Sequence, residues 1–132
     1  MHGIITVWVI TWRTIWPLML ATVALPFVVL FIRRRVDLAP VSAFLLPVLG
    51  PLLIVVWSGT FWAAEARATG GHWASNVLDA LVLASLVVII GVGVRYRRAP
   101  RYWTVIVVGV ANFVFVLAAG FVGGMAISDT WL

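Results

Sequence analysis

Apolar residues fall into four long runs that are separated by short polar connections. Each run is close to the roughly 20 residues that a helix needs to cross a bilayer. The pattern predicts helices at about 5–32, 42–63, 73–95 and 102–127. Because the connections are short, consecutive helices are expected to be antiparallel neighbours. We therefore predict an all-α membrane protein, an antiparallel bundle of four transmembrane helices that forms a single domain over residues 1–132.

Composition agrees with this fold class, since 64% of the residues are hydrophobic and only 10% are charged. A soluble domain of this length has too little interior to bury so much apolar surface. The chain has no cysteine, which excludes disulfides and thiolate metal sites. Its basic residues, apart from the histidines, are all arginine, a usage typical of GC-rich bacterial genomes. We expect a multi-pass protein of the bacterial inner membrane with no cleaved signal peptide.

Most of the arginines form two clusters, one after the first predicted helix and one after the third. Clusters of this kind mark cytoplasmic loops. They place both of these loops in the cytoplasm, and the N-terminus, the 64–72 connection and the C-terminus outside. The clustering also argues that the net charge of +5 does not reflect nucleic-acid binding. The clusters are Arg33–Arg35 and Arg95, Arg97, Arg98 and Arg101.

Tryptophans mark one face of the first predicted helix. Trp8, Trp12 and Trp16 recur every four residues, which aligns them in one stripe. Arg13 falls on the opposite side of that helix. We expect the tryptophan face to meet lipid or a partner, and the ordinary explanation for each tryptophan is anchoring at the membrane interface.

A polar stripe on the third predicted helix offers Arg13 a partner. His72, Ser75, Asn76 and Asp79 have the spacing of a single helix face in the outer half of the span. Arg13 and Asp79 reach a similar depth, so an ion pair between them is predicted, because an unpaired charge there is costly. Such a pair would serve either to lock two helices together or as a ligand or proton site. Two alternatives are an Arg13 that snorkels to the surface and an Asp79 that is protonated.

Small residues on the fourth predicted helix favour close packing. One face carries Gly109, Asn112, Ala119 and Gly123, and Gly120 and Gly124 form a GxxxG motif beside it. Small residues allow backbones to approach, and Asn112 can bond across helices, so packing is favoured over ion coordination. In the second helix, Pro47, Gly50 and Pro51 predict a bend or a broken segment that could line a cavity.

Function is constrained mainly by what the sequence lacks. There is no catalytic constellation or phosphate loop, so neither an enzyme nor a bound cofactor or metal is expected. His2 or His72 could ligate a haem or a pigment metal, but no binding motif surrounds either.

Two functional readings follow from these features. The first is a structural or accessory subunit of a larger membrane complex, with the lipid bilayer and other membrane subunits, or copies of itself, as partners. The alternative is a small transporter or channel that acts as a parallel homo-oligomer, with Arg13, Asn76, Asp79 and Asn112 near its path. In size the chain resembles small multidrug transporters and fluoride channels, but it carries the motifs of neither.

Overall fold

In the computed structural model, all the regular secondary structure of the described part of the chain is helix. The described residues are 2–33, 35, 37–62 and 72–128. In the first helix, side chains are described at positions 5, 6, 9, 10, 13 and 20–32. The helices, numbered in chain order, are α1 (His2–Ile32), α2 (Ser42–Thr60), α3 (Trp73–Arg95) and α4 (Tyr102–Ser128). Every boundary lies within three residues of the one predicted from the apolar runs.

Three of the four helices are long and apolar enough to cross a membrane, namely α2, α3 and α4. The fully described portion of α1, Leu20–Ile32, is a shorter apolar segment. These apolar helices favour insertion into a membrane. The predicted outer connection, most of the C-terminal tail and the side chains of Trp8, Trp12 and Trp16 lie outside the described residues.

The helices are arranged around a central pair formed by α2 and α4. These two helices have the most extensive contact in the described part of the chain. Both α1 and α3 pack against each of them, whereas α1 and α3 scarcely touch one another. The helices that carry Arg13 and Asp79 therefore lie on opposite sides of the central pair.

Two clusters of buried apolar side chains fill the interior. The first, called here the arginine-end cluster, contains residues from the segments nearest the two arginine clusters: Val29, Ala39, Ala43, Phe44, Val92, Val105 and Val108. The second, called the far-end cluster, contains Ile54, Val55, Ala74, Leu78, Ile89, Phe115, Val116, Ala119, Val122, Ala126 and Ile127. Phe44 and Phe115 are the largest side chains buried in each, so aromatic rings fill both halves of the core.

Helix α2 is continuous through its two prolines. A broken segment at "PVLGP" is one of the possibilities raised by the sequence, but the helix runs without interruption from Ser42 to Thr60. Both Pro47 and Pro51 are buried. Neighbouring helices can accommodate the backbone groups that a proline frees within a span. Both prolines are therefore on the side of α2 that packs into the interior of the bundle.

A short turn connects α3 to α4. The Tyr96 amide donates to the Val92 carbonyl, and the Ala99 amide donates to the Tyr96 carbonyl. Arg101 then adopts a left-handed conformation with φ of 52°, which is uncommon for a residue other than glycine. The hydroxyls of Ser42 and Tyr96 lie 2.9 Å apart and link the start of α2 to the end of α3. The turn is thus held against the rest of the bundle.

Candidate functional site

The two charged residues predicted to pair are placed apart. Arg13 lies on α1 and Asp79 lies on α3, and both side chains are exposed on the surface of the single chain. Because α1 and α3 flank the central pair on opposite sides, no ion pair joins Arg13 to Asp79 within the described residues. The rise along each helix predicts their depths, but it carries no information about direction around the bundle.

The levels of the two charges can be estimated from Val29 of α1 and Val92 of α3, which both belong to the arginine-end cluster. At about 1.5 Å per residue, Arg13 lies about 24 Å from Val29 and Asp79 about 20 Å from Val92. In a hydrocarbon layer about 30 Å thick that begins beside Arg95, Asp79 would lie about 6 Å inside the boundary at the opposite end from Arg95. A charged side chain facing lipid at mid-membrane costs about 2.5–3.5 kcal/mol, less nearer the boundary. Asp79 is therefore in an unfavourable position unless something polar covers it.

The rest of the predicted polar stripe surrounds the beginning of α3. His72 and Asn76 are exposed and Ser75 is half-buried. The backbone N–H of Asn76 donates to the His72 carbonyl at 3.0 Å. The exposed face that carries Asn76 and Asp79 continues along the same helix with apolar residues, namely Leu83, Val87, Ile90 and Val94. The polar stripe is therefore the first part of an exposed face of α3, and this face does not point into the bundle interior.

A second group of residues is buried near the middle of the helices. Counting about 10 Å along each helix from Val29, Phe44, Val92 and Val105 of the arginine-end cluster reaches Thr22, Pro51, Ser85 and Asn112. All four side chains are buried. We call these four residues the middle layer. The sequence pattern indicates Asn112 as a packing residue and Pro51 as a bend, but it does not indicate Thr22 or Ser85, because hydroxyl residues in an apolar span give a weak signal.

The buried polar side chains of α2, α3 and α4 bond to their own helices. The Ser85 hydroxyl donates to the Leu81 carbonyl at 2.6 Å, and the Ser58 hydroxyl donates to the Ile54 carbonyl at 2.7 Å. Asn112 Nδ2 donates to the Val108 carbonyl at 2.9 Å. The bond across helices anticipated for Asn112 is not formed within the described residues, and its Oδ1 atom is buried with no hydrogen-bond partner there.

Small residues allow α2 to approach α3 and α4 closely. A Cβ atom added to Gly50 would collide with Ser85 of α3, whose Cβ would be only 2.6 Å away. A Cβ atom on Gly123 of α4 would lie 2.9 Å from the Ser58 Cβ atom. Sequence reasoning assigned Gly50 to helix bending, but its place is a close helix crossing. The partner serines were missed as packing residues because their contacts depend on how each helix is rotated.

The predicted packing residues of α4 differ in their surroundings. Ala119 is fully buried, and a Cβ atom on Gly120 would lie 2.9 Å from Val82 of α3. A Cβ atom on Gly109 would make an ordinary contact with Ile89 at 3.7 Å, and one on Gly124 would meet none of the described atoms within 4 Å. The two glycines of the GxxxG motif therefore differ, because among the described residues Gly120 has a close contact and Gly124 has none.

Aromatic side chains join the other ends of α2 and α3. The ring centroids of Trp57 and Phe61 are 4.3 Å apart, and those of Phe61 and Trp73 are 4.9 Å apart in an edge-on arrangement. Trp57 Nε1 also donates to the Ala74 carbonyl at 3.1 Å. Trp57 therefore holds two helices together in addition to any anchoring at the interface.

The cavities of the described part lie at its surface. A groove of about 180 Å³ between α2 and α3 is bordered mainly by leucines and reaches Gly50 and Ser85. Two further cavities adjoin the arginines, one beside Phe27, Phe31 and Arg35 and one beside Arg95, Arg97 and Arg98. Asn112 lines none of these three. Across the described ranges, no three residues of the His, Cys, Asp or Glu type come together in a group that could hold a metal.

Comparison with protein-family models, with curated proteins and with solved structures finds no match to this chain. The features that bear on function are therefore the helix arrangement, the exposed Arg13 and Asp79, and the middle layer.

Proposed function

We propose that the chain is a structural or accessory subunit of a larger membrane assembly, a multi-pass protein of the bacterial inner membrane. The observation that carries this proposal is that the buried polar side chains of α2, α3 and α4 are bonded within their own helices. Apolar side chains of the arginine-end and far-end clusters flank the middle layer along the helices. A conducting path needs polar groups that continue from one surface to the other, and this interior is interrupted by apolar packing on both sides.

The exposed charges support an assembly. Asp79 is exposed on the outside of the single chain within the hydrocarbon layer, where lipid is a poor solvent for it, and Arg13 is exposed close to the boundary of that layer. Intramembrane ionisable residues usually face a bundle interior, a cavity or a partner. A neighbouring polypeptide that covers these flanks would give both residues a polar environment.

The membership of the two apolar clusters supports an antiparallel bundle. The arginine-end cluster combines the last part of α1, the first part of α2, the last part of α3 and the first part of α4. The far-end cluster combines the opposite ends of α2, α3 and α4. The arginine-end cluster then lies toward the cytoplasm, with both termini outside, because arginine-rich connections remain on the cytoplasmic side.

A transporter or channel that works as a parallel homo-oligomer is the second candidate. It is favoured by one observation, the buried Oδ1 atom of Asn112 that has no partner within the described residues. A buried acceptor without a donor normally has an explanation such as a bound water, an ion or a functional role. The surrounding apolar clusters place this atom in a closed interior, which is why the assembly subunit is the preferred proposal.

Purification of a tagged chain in mild detergent separates the two candidates. The assembly proposal expects stoichiometric co-purification of a partner polypeptide or of further copies, and liposomes containing the chain that remain as impermeable as empty ones. The transporter candidate expects a pure homo-oligomer whose liposomes release or take up a solute, with loss of that flux in Asn112→Leu. Gly124→Leu serves as the matched control on the same helix, because nothing lies within 4 Å of its Cβ position.

A further inference from the structure

We infer that the neighbour covering these charges is a second copy of this chain, with Arg13 of one copy paired to Asp79 of the next. This inference rests on the proposed function, because it names the partner that an assembly subunit would have. It starts from the positions of the two residues, which are exposed on the two flanking helices α1 and α3. The charges are complementary, and each lies on a flank that the single chain leaves uncovered.

The depths of the two side chains fit a contact between parallel copies. Copies that are inserted by the same arginine clusters take the same orientation in the bilayer. Arg13 and Asp79 then lie within about 5 Å of each other in depth, by the rise of 1.5 Å per residue from Val29 and Val92. An extended arginine side chain covers such a difference. The charge pair would hold both groups in a polar contact and keep each from facing lipid.

The geometry of the bundle determines which kind of interface results. Because α1 and α3 lie on opposite sides of the central pair, the two partner residues belong to different surfaces of the chain. Such a contact is heterologous, so each copy contributes Arg13 to one neighbour and Asp79 to the other. Repetition gives a closed ring or an open row in the membrane, whereas a symmetric dimer would leave both charges unpaired.

Neighbouring features of α3 are compatible with helix-to-helix contact. Beyond Asp79 its exposed face continues through Leu83, Val87 and Ile90, which are between 64% and 68% exposed. The exposed apolar side chains of α1 include Val9 and Leu20 on either side of Arg13. Each flank therefore presents apolar surface around a single charge, which gives the pair a defined register.

Cross-linking between two copies tests this arrangement directly, because the chain contains no cysteine. One tagged copy carries Leu20→Cys and a second, differently tagged copy carries Leu83→Cys. Both residues are exposed, and each lies about 14 Å along its helix from Val29 or Val92, so the two cysteines match in depth while Arg13 and Asp79 stay in place. A short bismaleimide is added to intact membranes, since a disulfide requires Cα atoms within roughly 7 Å of each other. We expect a cross-linked dimer that contains both tags. One chain carrying both cysteines should instead give a ladder of higher oligomers, as a heterologous contact requires.

Two control pairs define the background. Leu20→Cys with Val94→Cys uses an exposed residue at the opposite end of α3 and should give no dimer. Leu20→Cys in both copies tests a symmetric contact and should also give none. Dimers from the symmetric pair without dimers from Leu20→Cys and Leu83→Cys would overturn the inference, as would an absence of cross-linking in every pair.

Charge reversal tests the ion pair separately from proximity. Arg13→Asp or Asp79→Arg alone should reduce the fraction of oligomer in mild detergent to that of a monomeric background. The chain with both reversals restores complementary charges and should recover the oligomer, and Arg13→Lys should retain it. Helix content from circular dichroism verifies that each variant is folded. Failure of the double reversal to recover the oligomer, with the fold intact, would contradict the pairing.

The inference and the proposed function can fail separately. Stable co-purification of a different polypeptide, with no cross-link between copies, would remove the inference and leave the assembly proposal standing. A chain that remains monomeric and copurifies with nothing would remove both. Cross-linked copies that mediate solute flux would support the pairing while favouring the transporter candidate over the accessory subunit.

Discussion

Ser58 of α2 lies directly against Gly123 of α4, so that a Cβ atom on the glycine would be 2.9 Å from the serine Cβ atom. Both residues are buried, and Ser58 is fixed further by its bond to the Ile54 carbonyl. We expect Gly123→Ala to destabilise the protein by about 1–3 kcal/mol, because the central pair must separate slightly to admit the methyl group. Unfolding of detergent-solubilised protein by added dodecyl sulfate measures the change.

Gly124→Ala is the matched control for this substitution. It introduces the same methyl group one position further along α4, where nothing lies within 4 Å. Alanine also has the higher helix propensity, so equal or slightly greater stability is expected. Equal losses at positions 123 and 124 would show that Gly123 is not at a close contact.

The crossing of α2 and α3 gives a second prediction, on Gly50 and Ser85. Gly50→Ala should destabilise the protein, because the added Cβ would meet the Ser85 side chain. Ser85→Gly removes the obstructing atoms, so the double substitution should cost less than the sum of the two single changes. Chemical unfolding of the unmodified chain, the two single variants and the double variant gives the coupling energy. Gly91→Ala, whose Cβ would meet nothing within 4 Å, controls for helix propensity. Additive effects would mean that the two residues do not touch.

The unpartnered Oδ1 atom of Asn112 gives the third prediction. Replacing a buried polar group that lacks part of its hydrogen bonding by an apolar one of similar shape is nearly neutral. We expect Asn112→Leu to change stability by less than about 1 kcal/mol, whereas Asn112→Asp should be clearly destabilising, because it buries a carboxyl group and loses the donor to Val108. Thermal unfolding in detergent compares the variants. A loss well above 2 kcal/mol in Asn112→Leu would indicate that Oδ1 holds a bound water or ligand.

Topology gives the fourth prediction, from the arginine clusters. Single cysteines introduced at Asp37 and Arg97 should be protected from an impermeant maleimide added to the outside of whole cells. A cysteine at Ser128 should react under the same conditions. The absence of native cysteine gives the assay no background. Labelling of Ser128→Cys only after the membrane is opened would reverse the proposed orientation.

The helix boundaries could be predicted from the sequence because the bilayer imposes them. A run of about 20 apolar residues has one favourable conformation in lipid, which is the helix, and the first and third runs end at arginine clusters. Depth along a helix follows from its fixed rise, so the sequence alone predicts similar levels for Arg13 and Asp79. These properties vary only along the membrane normal.

Direction around the bundle was not accessible in the same way. In these helices apolar residues occupy the lipid-facing and the buried sides alike, as with the exposed Val107 and the buried Val108 of α4. Hydrophobic periodicity therefore gives little indication of which face is inside. The expectation that Arg13 meets Asp79 within one chain depended on α1 and α3 being adjacent, and the extensive contact of α2 with α4 separates them.

The hydrogen bonds that Ser58, Ser85 and Asn112 make to their own helices also bear on how the chain is made. Helices leave the ribosome in order, so α2 enters the lipid before α4, its main packing partner, has been synthesised. A serine hydroxyl that already bonds to a carbonyl one turn earlier adds little free-energy cost to placing its helix in lipid during that delay. Each span can therefore enter the bilayer as an independent unit. Among the buried side-chain atoms of the described residues, Asn112 Oδ1 is the one without a hydrogen-bond partner, and it lies on the last helix to be synthesised. Insertion and tertiary packing are thereby separated in time, and the association of α2 with α4 completes the bundle.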